Sequence, residues 1–138
     1  MRKALFCIVF LLMMLPLSGC TETVTLHQSS DNVAKIEFLF SPFYQFQVFH
    51  TVPENSVMDC MEDIAQLKIH RNGSPADVGG TYIIKITYAD GSEESLGTWS
   101  VSYVSGGVTD HDGWYCVSAE DLYDLFSKYM EPAQIPTN

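Results

Sequence analysis

The sequence is short of basic residues: 7 Lys and Arg face 17 Asp and Glu, a net charge of −10 over 138 residues. That balance excludes a nucleic-acid binder working by phosphate neutralisation, which needs a basic face. It also disfavours electrostatic docking of the whole domain on anionic lipid. No CxxC, HExxH, HxH, HxxxH or GxSxG is present, and Ser105-Gly106-Gly107 is too short and lacks the lysine of a phosphate loop. The common signatures of thiol redox, zinc and serine-hydrolase chemistry are therefore missing. Pairs of carboxylates, or a cysteine with a distant histidine, are the catalytic arrangements left open. Hydrophobic residues make up 46% of the chain, which excludes a mainly disordered protein.

Arg2 and Lys3 precede an apolar run of 12 residues, Ala4 to Leu15, that stops at Pro16. A transmembrane helix needs roughly 20 residues, so this run fits the apolar region of a secretory signal instead. Leu17-Ser18-Gly19-Cys20 follows: an aliphatic residue, two small residues and a cysteine. This stretch resembles the lipobox of bacterial lipoproteins. The resemblance implies removal of residues 1–19 and acylation of Cys20, with two or three acyl chains giving stable anchorage in membrane lipid. It also implies an address on the cell membrane, facing away from the cytoplasm. Removing residues 1–19 leaves 119 residues with five basic and 17 acidic side chains, a balance of −12.

Of the four cysteines, Cys7 leaves with the leader and Cys20 takes the lipid. Cys60 and Cys116 remain as one candidate disulfide. Export permits a bridge, which would close a loop of about 57 residues and contribute on the order of 4 kcal/mol. The alternative is two buried free thiols acting as small hydrophobes.

Residues 20–30 read as a lipidated N-terminus and tether, with an optional edge strand at 23–28. Residues 33–40 alternate, with Ala34, Ile36, Phe38 and Phe40 on one face. Residues 45–52 alternate again, with Phe46 and Val48 opposed to Gln45 and Gln47, so the two segments predict a hairpin. Pro53 stops that strand. Val57, Cys60, Met61, Ile64 and Leu67 then have helical spacing up to about Lys68. Residues 70–80 read as a loop. Residues 81–88 are the clearest strand, with Tyr82, Ile84, Ile86 and Tyr88 on one face.

Asp90-Gly91 signals a hairpin turn into a return strand over 93–104. A two-residue turn would place Glu93 and Ser95 opposite the tyrosine–isoleucine face, so a bulge near Gly97 is expected. Residues 110–113 read as a turn and 114–117 as a short strand. Ser118 with Asp121 then resembles a capping box opening a helix that carries Leu122, Leu125, Phe126, Tyr129 and Met130. Pro132 ends it, and residues 132–138 read as a flexible tail.

The pattern predicts an α+β fold: a two-layer sandwich with an antiparallel sheet of about five strands and two helices on one face, spanning residues 31–131. In its lipobox, element order and TYIIKITYADGSEE hairpin the chain resembles the small lipoprotein domains of Firmicutes, a resemblance that carries no function with it.

Asp110-His111-Asp112-Gly113-Trp114 is the densest polar cluster. A calcium loop starting at Asp110 would need Gly where Tyr115 stands and Glu where Asp121 stands, so the motif fails and no metal is expected. Trp114 and Tyr115 are adjacent and point to opposite faces of a strand, so at least one can be exposed. Asp110, His111, Asp112, Trp114 and Tyr115 therefore form the candidate interaction patch. The functional expectation is a non-catalytic, membrane-anchored module that binds an envelope protein or peptide through its sheet face or an edge strand, with no cofactor and no nucleic acid. A small-ligand or ion-binding accessory domain is the alternative, and an enzyme the third reading.

Overall fold

A computed structural model describes residues 22–42, 45–71, 81–98, 101–106, 108–111 and 115–136. The fold is α+β, with antiparallel pairing throughout. Its strands are β1 (Glu22–Thr23), β2 (Val33–Ser41), β3 (Gln47–Thr51), β4 (Lys68–Arg71), β5 (Thr81–Tyr88), β6 (Glu93–Gly97), β7 (Val101–Ser105), β8 (Val108–His111) and β9 (Tyr115–Val117). Its helices are α1 (Val57–Ala65) and α2 (Ala119–Tyr129). The strands form two sheets rather than one of about five. A six-stranded sheet runs β3-β2-β5-β6-β7-β8, and a three-stranded sheet runs β1-β4-β9. The extra strands are β1, expected only as an optional edge, β4 just after α1, expected as helix end and loop, β8, expected as a break and turn, and one more from the division of the expected 93–104 strand into β6 and β7.

Both helices lie on one face of the large sheet. Cys60, Met61 and Ile64 of α1 and Leu122, Leu125 and Phe126 of α2 share one buried cluster with Ile36, Phe38, Ile84, Ile86, Tyr88 and Leu96. The Phe126 ring lies 4.4 Å from that of Phe38, centroid to centroid, and meets Phe49 edge-on at 5.4 Å. The Ser118 hydroxyl accepts from the Asp121 N–H at 3.0 Å, satisfying one of the orphan donors of α2. Glu120 and Asp121 lie in the first turn and Lys128 in the last, each on the favourable end of the helix dipole.

Register decides which residues face solvent, because a one-residue slip turns every side chain over. Three places depart from simple alternation. The first is Val33/Lys35, where a register shift against β5 leaves Ala34 exposed instead of in the core. The second is β3. Phe38 pairs with His50 but Leu39 pairs with Val48, so Phe49 is an extra residue. This bulge sends Phe49 against the core and turns Val48 and Phe46 outward.

The third is the β5–β6 hairpin. Ile84 pairs with Leu96 and Ile86 with Glu94, in unbroken register from Ile83–Gly97 to Thr87–Glu93. The Tyr88 N–H donates to Ser92 O at 3.0 Å, so the turn holds three residues, Ala89, Asp90 and Gly91. Gly91 takes φ +81°, the left-handed position that such three-residue turns require. The expected two-residue turn with a bulge near Gly97 is replaced by this one, and Glu94 rather than Glu93 faces the core.

Both ends expected to be loose join the fold. β1 pairs with β4 (Glu22 with Ile69, Thr23 with Lys68), Val24 is buried, and Leu26 packs on the core. At the other end a 3₁₀ turn at Pro132–Gln134 delivers Ile135 into the core, and the Tyr82 hydroxyl donates to the Pro136 carbonyl. Of the two alternatives for the cysteines, the fold holds the reduced one: Cys60 and Cys116 are free thiols.

Candidate functional site

The bulge at Phe49 creates the molecule's most exposed apolar feature among the described residues. Phe46, just before β3, is 51% exposed, and Val48, two residues on in this edge strand, is 50% exposed. Across the sheet Val48 pairs with Leu39, and Leu39 with Ile83, both half-buried. Val48, Leu39 and Ile83 therefore form an apolar row on the face turned away from the helices. The next row on that face is polar: Glu37 pairs with Lys85, and Lys85 with Ser95. Lys85 is also ion-paired with Glu93 at 2.7 Å.

Among the described residues β3 has β2 on one side and no strand on the other. Natural edge strands are usually guarded by a charge, a proline or an inward-pointing ion. The β3 sequence, Gln-Val-Phe-His-Thr, has no lysine, no carboxylate and no proline. Beyond its end a groove runs between β2 and the start of α1, lined by Val33, Lys35, Thr51, Val57 and Met58. Met58 is itself 46% exposed. Edge, apolar row and groove adjoin one another.

His50 faces the opposite side. Its ring lies 5.5 Å from that of Phe38, its Nε2 is buried with no hydrogen-bond partner among the described residues, and burial lowers its pKa. It is held as a packing residue of the β2–β3 pair.

A second cluster lies where the N-terminal segment crosses the β5–β6 hairpin. Glu94 is only 1% exposed, as is Tyr88. The Tyr88 hydroxyl donates to Glu94 Oε2 at 2.5 Å, and the His27 backbone N–H reaches the same oxygen at 3.3 Å. His27 Nδ1 lies 3.2 Å from Glu94 Oε1. A buried carboxyl group is tolerable only with such partners. Beside it the Gln28 amide donates to Asp90 Oδ2 at 2.9 Å and to the Ser92 hydroxyl at 2.7 Å. Asp90 also accepts from the Ser92 hydroxyl and N–H, and these Ser92 contacts, with Gln28 after them, hold its carboxyl below the usual range. The arrangement straps the N-terminal segment down; its polar atoms are turned on one another.

The residues singled out from the sequence are spread more widely. Asp110 and His111 lie on β8, the other edge of the large sheet, opposite Tyr103 and Ser102. They are strand residues rather than a turn. Asp112 and Trp114 lie outside the described residues, as does the lipobox with Cys20. Tyr115 opens β9, an edge of the small sheet opposite Arg71. Cys60 is fully buried in α1, where burial, with the Asp63 charge adding to it, pushes its thiol up to about 12. Cys116 is half-buried in β9 opposite His70, and burial raises its pKa as well. Among the described residues no three His, Cys, Asp or Glu side chains come together as a metal site. Among them, too, no helix is long and apolar enough to cross a membrane.

Phe46, Val48 and Glu94 were not legible as site residues. The first two have the alternation of a core-facing strand, and only the bulge turns them out. The third depends on a turn length that Asp-Gly does not fix. No protein family, known protein or solved structure matches this chain.

Proposed function

We propose that the chain is a membrane-anchored, extracytoplasmic lipoprotein domain that binds an extended segment of another envelope protein along β3, without catalysis. The observation that carries this reading is an edge strand, unguarded among the described residues, with two half-exposed apolar side chains, Val48 on it and Phe46 just before it. Strand addition at such an edge supplies main-chain hydrogen bonds for affinity, and alternate side chains for specificity. Covering Phe46 and Val48 contributes on the order of 1 kcal/mol each. The polar row of Glu37, Lys85 and Ser95 would set the register of an incoming segment by charge. The interaction surface thus moves from the Asp110–Tyr115 stretch to the opposite edge of the sheet.

The anchoring half of the proposal rests on Leu17-Ser18-Gly19-Cys20. It is tested by fractionating cells that carry Cys20→Ser under acyl labelling. Loss of label and release from the membrane support it; unchanged fractionation overturns it. The binding half is tested with Val48→Asp, which adds charge at an exposed position. Loss of a partner retained by the unsubstituted chain, with an unchanged melting temperature, supports it; retention of that partner overturns it.

A further inference from the structure

The groove at the end of β3 exists because β3, with 5 residues, is shorter than β2, with 9. β3 faces β2 from Phe40 to Glu37, and the Val52 N–H closes the pairing on Ile36 O at 3.0 Å. Pro53 then leads the chain off the sheet into the turn at Glu54–Ser56 and on into α1. Among the described residues the start of β2, Val33 to Lys35, has no strand on that side. The lane that a longer β3 would fill is left as a groove of about 550 Å³. That volume falls within the roughly 300–1,000 Å³ of sites that hold a ligand.

The walls of the groove are apolar and its free charge is negative. Val33 and Val57 line it where they pack on the core, and Met58 adds a side chain that is 46% exposed. Asp31, Lys35 and Glu54 are the charged residues that line it. Lys35 is ion-paired with Glu37 at 3.0 Å. Asp31 and Glu54 are exposed and have no ion-pair partner among the described residues. The N-terminal end of α1 contributes roughly half a positive charge, which two carboxylates outweigh. A long side chain with an apolar stem and a cationic head suits such a place, with the stem on Val57 and Met58 and the head at the carboxylates.

We infer that the groove seats a lysine or arginine side chain of the segment that adds at β3, so that the partner is read by charge as well as by strand pairing. This seating rests on strand addition at β3 and gives that partner its chemistry. Thr51, three residues after Val48, already lines the groove. At about 3.3 Å per residue, the basic residue stands about three to six positions from the one opposite Val48. The net charge of −10 attracts any basic chain from a distance, whereas the groove fixes where along the segment the basic residue must be.

The probe is a display library of random dodecapeptides, panned on the full chain and sequenced after selection. The selected peptides should carry alternating apolar residues, with lysine or arginine enriched at one fixed distance from them. Val48→Asp should abolish their binding. Asp31→Asn with Glu54→Gln should weaken it about three- to tenfold and remove the basic preference while the apolar alternation stays. Glu120→Gln with Asp124→Asn removes the same charge from exposed positions of α2 and should change neither. All five positions are exposed, so melting temperatures should hold. Apolar peptides without a placed basic residue, or a basic preference that both pairs of substitutions weaken alike, overturn the seating and leave strand addition at β3 intact. Selected peptides that bind the Val48→Asp chain equally well overturn both, as does a library from which nothing is selected.

Discussion

Tyr88 donates its hydroxyl to Glu94 across the first pairs of the β5–β6 hairpin, at 2.5 Å, with both residues 1% exposed. The bond exists because a three-residue turn, and not a two-residue one, puts Glu94 on the core face. A carboxyl group in that position keeps its place only while its partners remain. Tyr88→Phe should therefore destabilise the domain by about 1–3 kcal/mol, the cost of an unsatisfied buried acceptor. Glu94→Gln with Tyr88→Phe should be less than additive, because the two residues share one interaction. Urea unfolding of the four chains of the cycle reads both numbers; strict additivity would show that the bond contributes nothing.

Gly91 holds φ +81° with nothing within 4 Å of the position a Cβ would take. Space is free, so a substitution meets only backbone strain. Gly91→Ala should cost about 1–2 kcal/mol and Gly91→Asn less, since Asn tolerates the left-handed region. Thermal unfolding of the two variants checks the order. Equal loss in both would point to side-chain crowding instead.

Asp63 joins the two helices, accepting from Lys128 Nζ at 2.8 Å and from the Tyr129 hydroxyl at 2.6 Å. The Lys128 bond first, and the Tyr129 bond after it, hold its carboxyl below the usual range. Stability from this contact is present above the ordinary aspartate value, about pH 4, and is lost as the pH falls through the lowered folded-state pKa. Tyr129 shifts the other way, raised by burial first and by the Asp63 bond second. Its contribution is present below about pH 10 and is lost as the pH climbs through the raised folded-state pKa. Asp63→Asn should flatten the acid limb of a stability–pH curve, and Tyr129→Phe the alkaline limb. With the Lys128 side chain 59% exposed, the ion-pair part should stay below about 1 kcal/mol. Unchanged limbs in both variants would remove the helix–helix link from the account.

Cys60 and Cys116 differ in reach. Cys60 is fully buried with its thiol pushed up to about 12, whereas Cys116 is half-buried. In the native protein at neutral pH, alkylation mapped by peptide mass should modify Cys116 well before Cys60, since the thiolate is the reacting species. After unfolding without reductant both should react. Failure of both to react then would mean that they are bridged.

The sequence carried the type of most elements and much of the core. Ile36, Phe38, Ile84 and Ile86 follow from period two, and Cys60, Met61, Ile64, Leu122, Leu125 and Phe126 from helical spacing. The capping of α2 by Ser118 followed from residue types alone. What was not legible is register. An extra residue at Phe49 and an extra residue in the Ala89–Gly91 turn each invert a face, and neither leaves a compositional trace. Those two inversions produce the exposed Phe46–Val48 pair and the buried Glu94. β4 was hidden for another reason: four residues after a helix are too few to show a period. The ends of the domain read as loose because Thr21–Ser30 and Pro132–Asn138 are polar or proline-rich. Isolated apolar residues, Val24, Leu26 and Ile135, are enough to dock them.

The proposed partner surface at β3 is the central claim, and a photoreactive residue at Val48, expressed in intact cells, tests it most directly. A matched probe at the exposed Glu120 of α2 serves as the control. The account predicts a discrete adduct with one envelope protein from position 48, absent from position 120 and lost when Phe46→Lys is added. No adduct from position 48, or the same adducts from both positions, would contradict it.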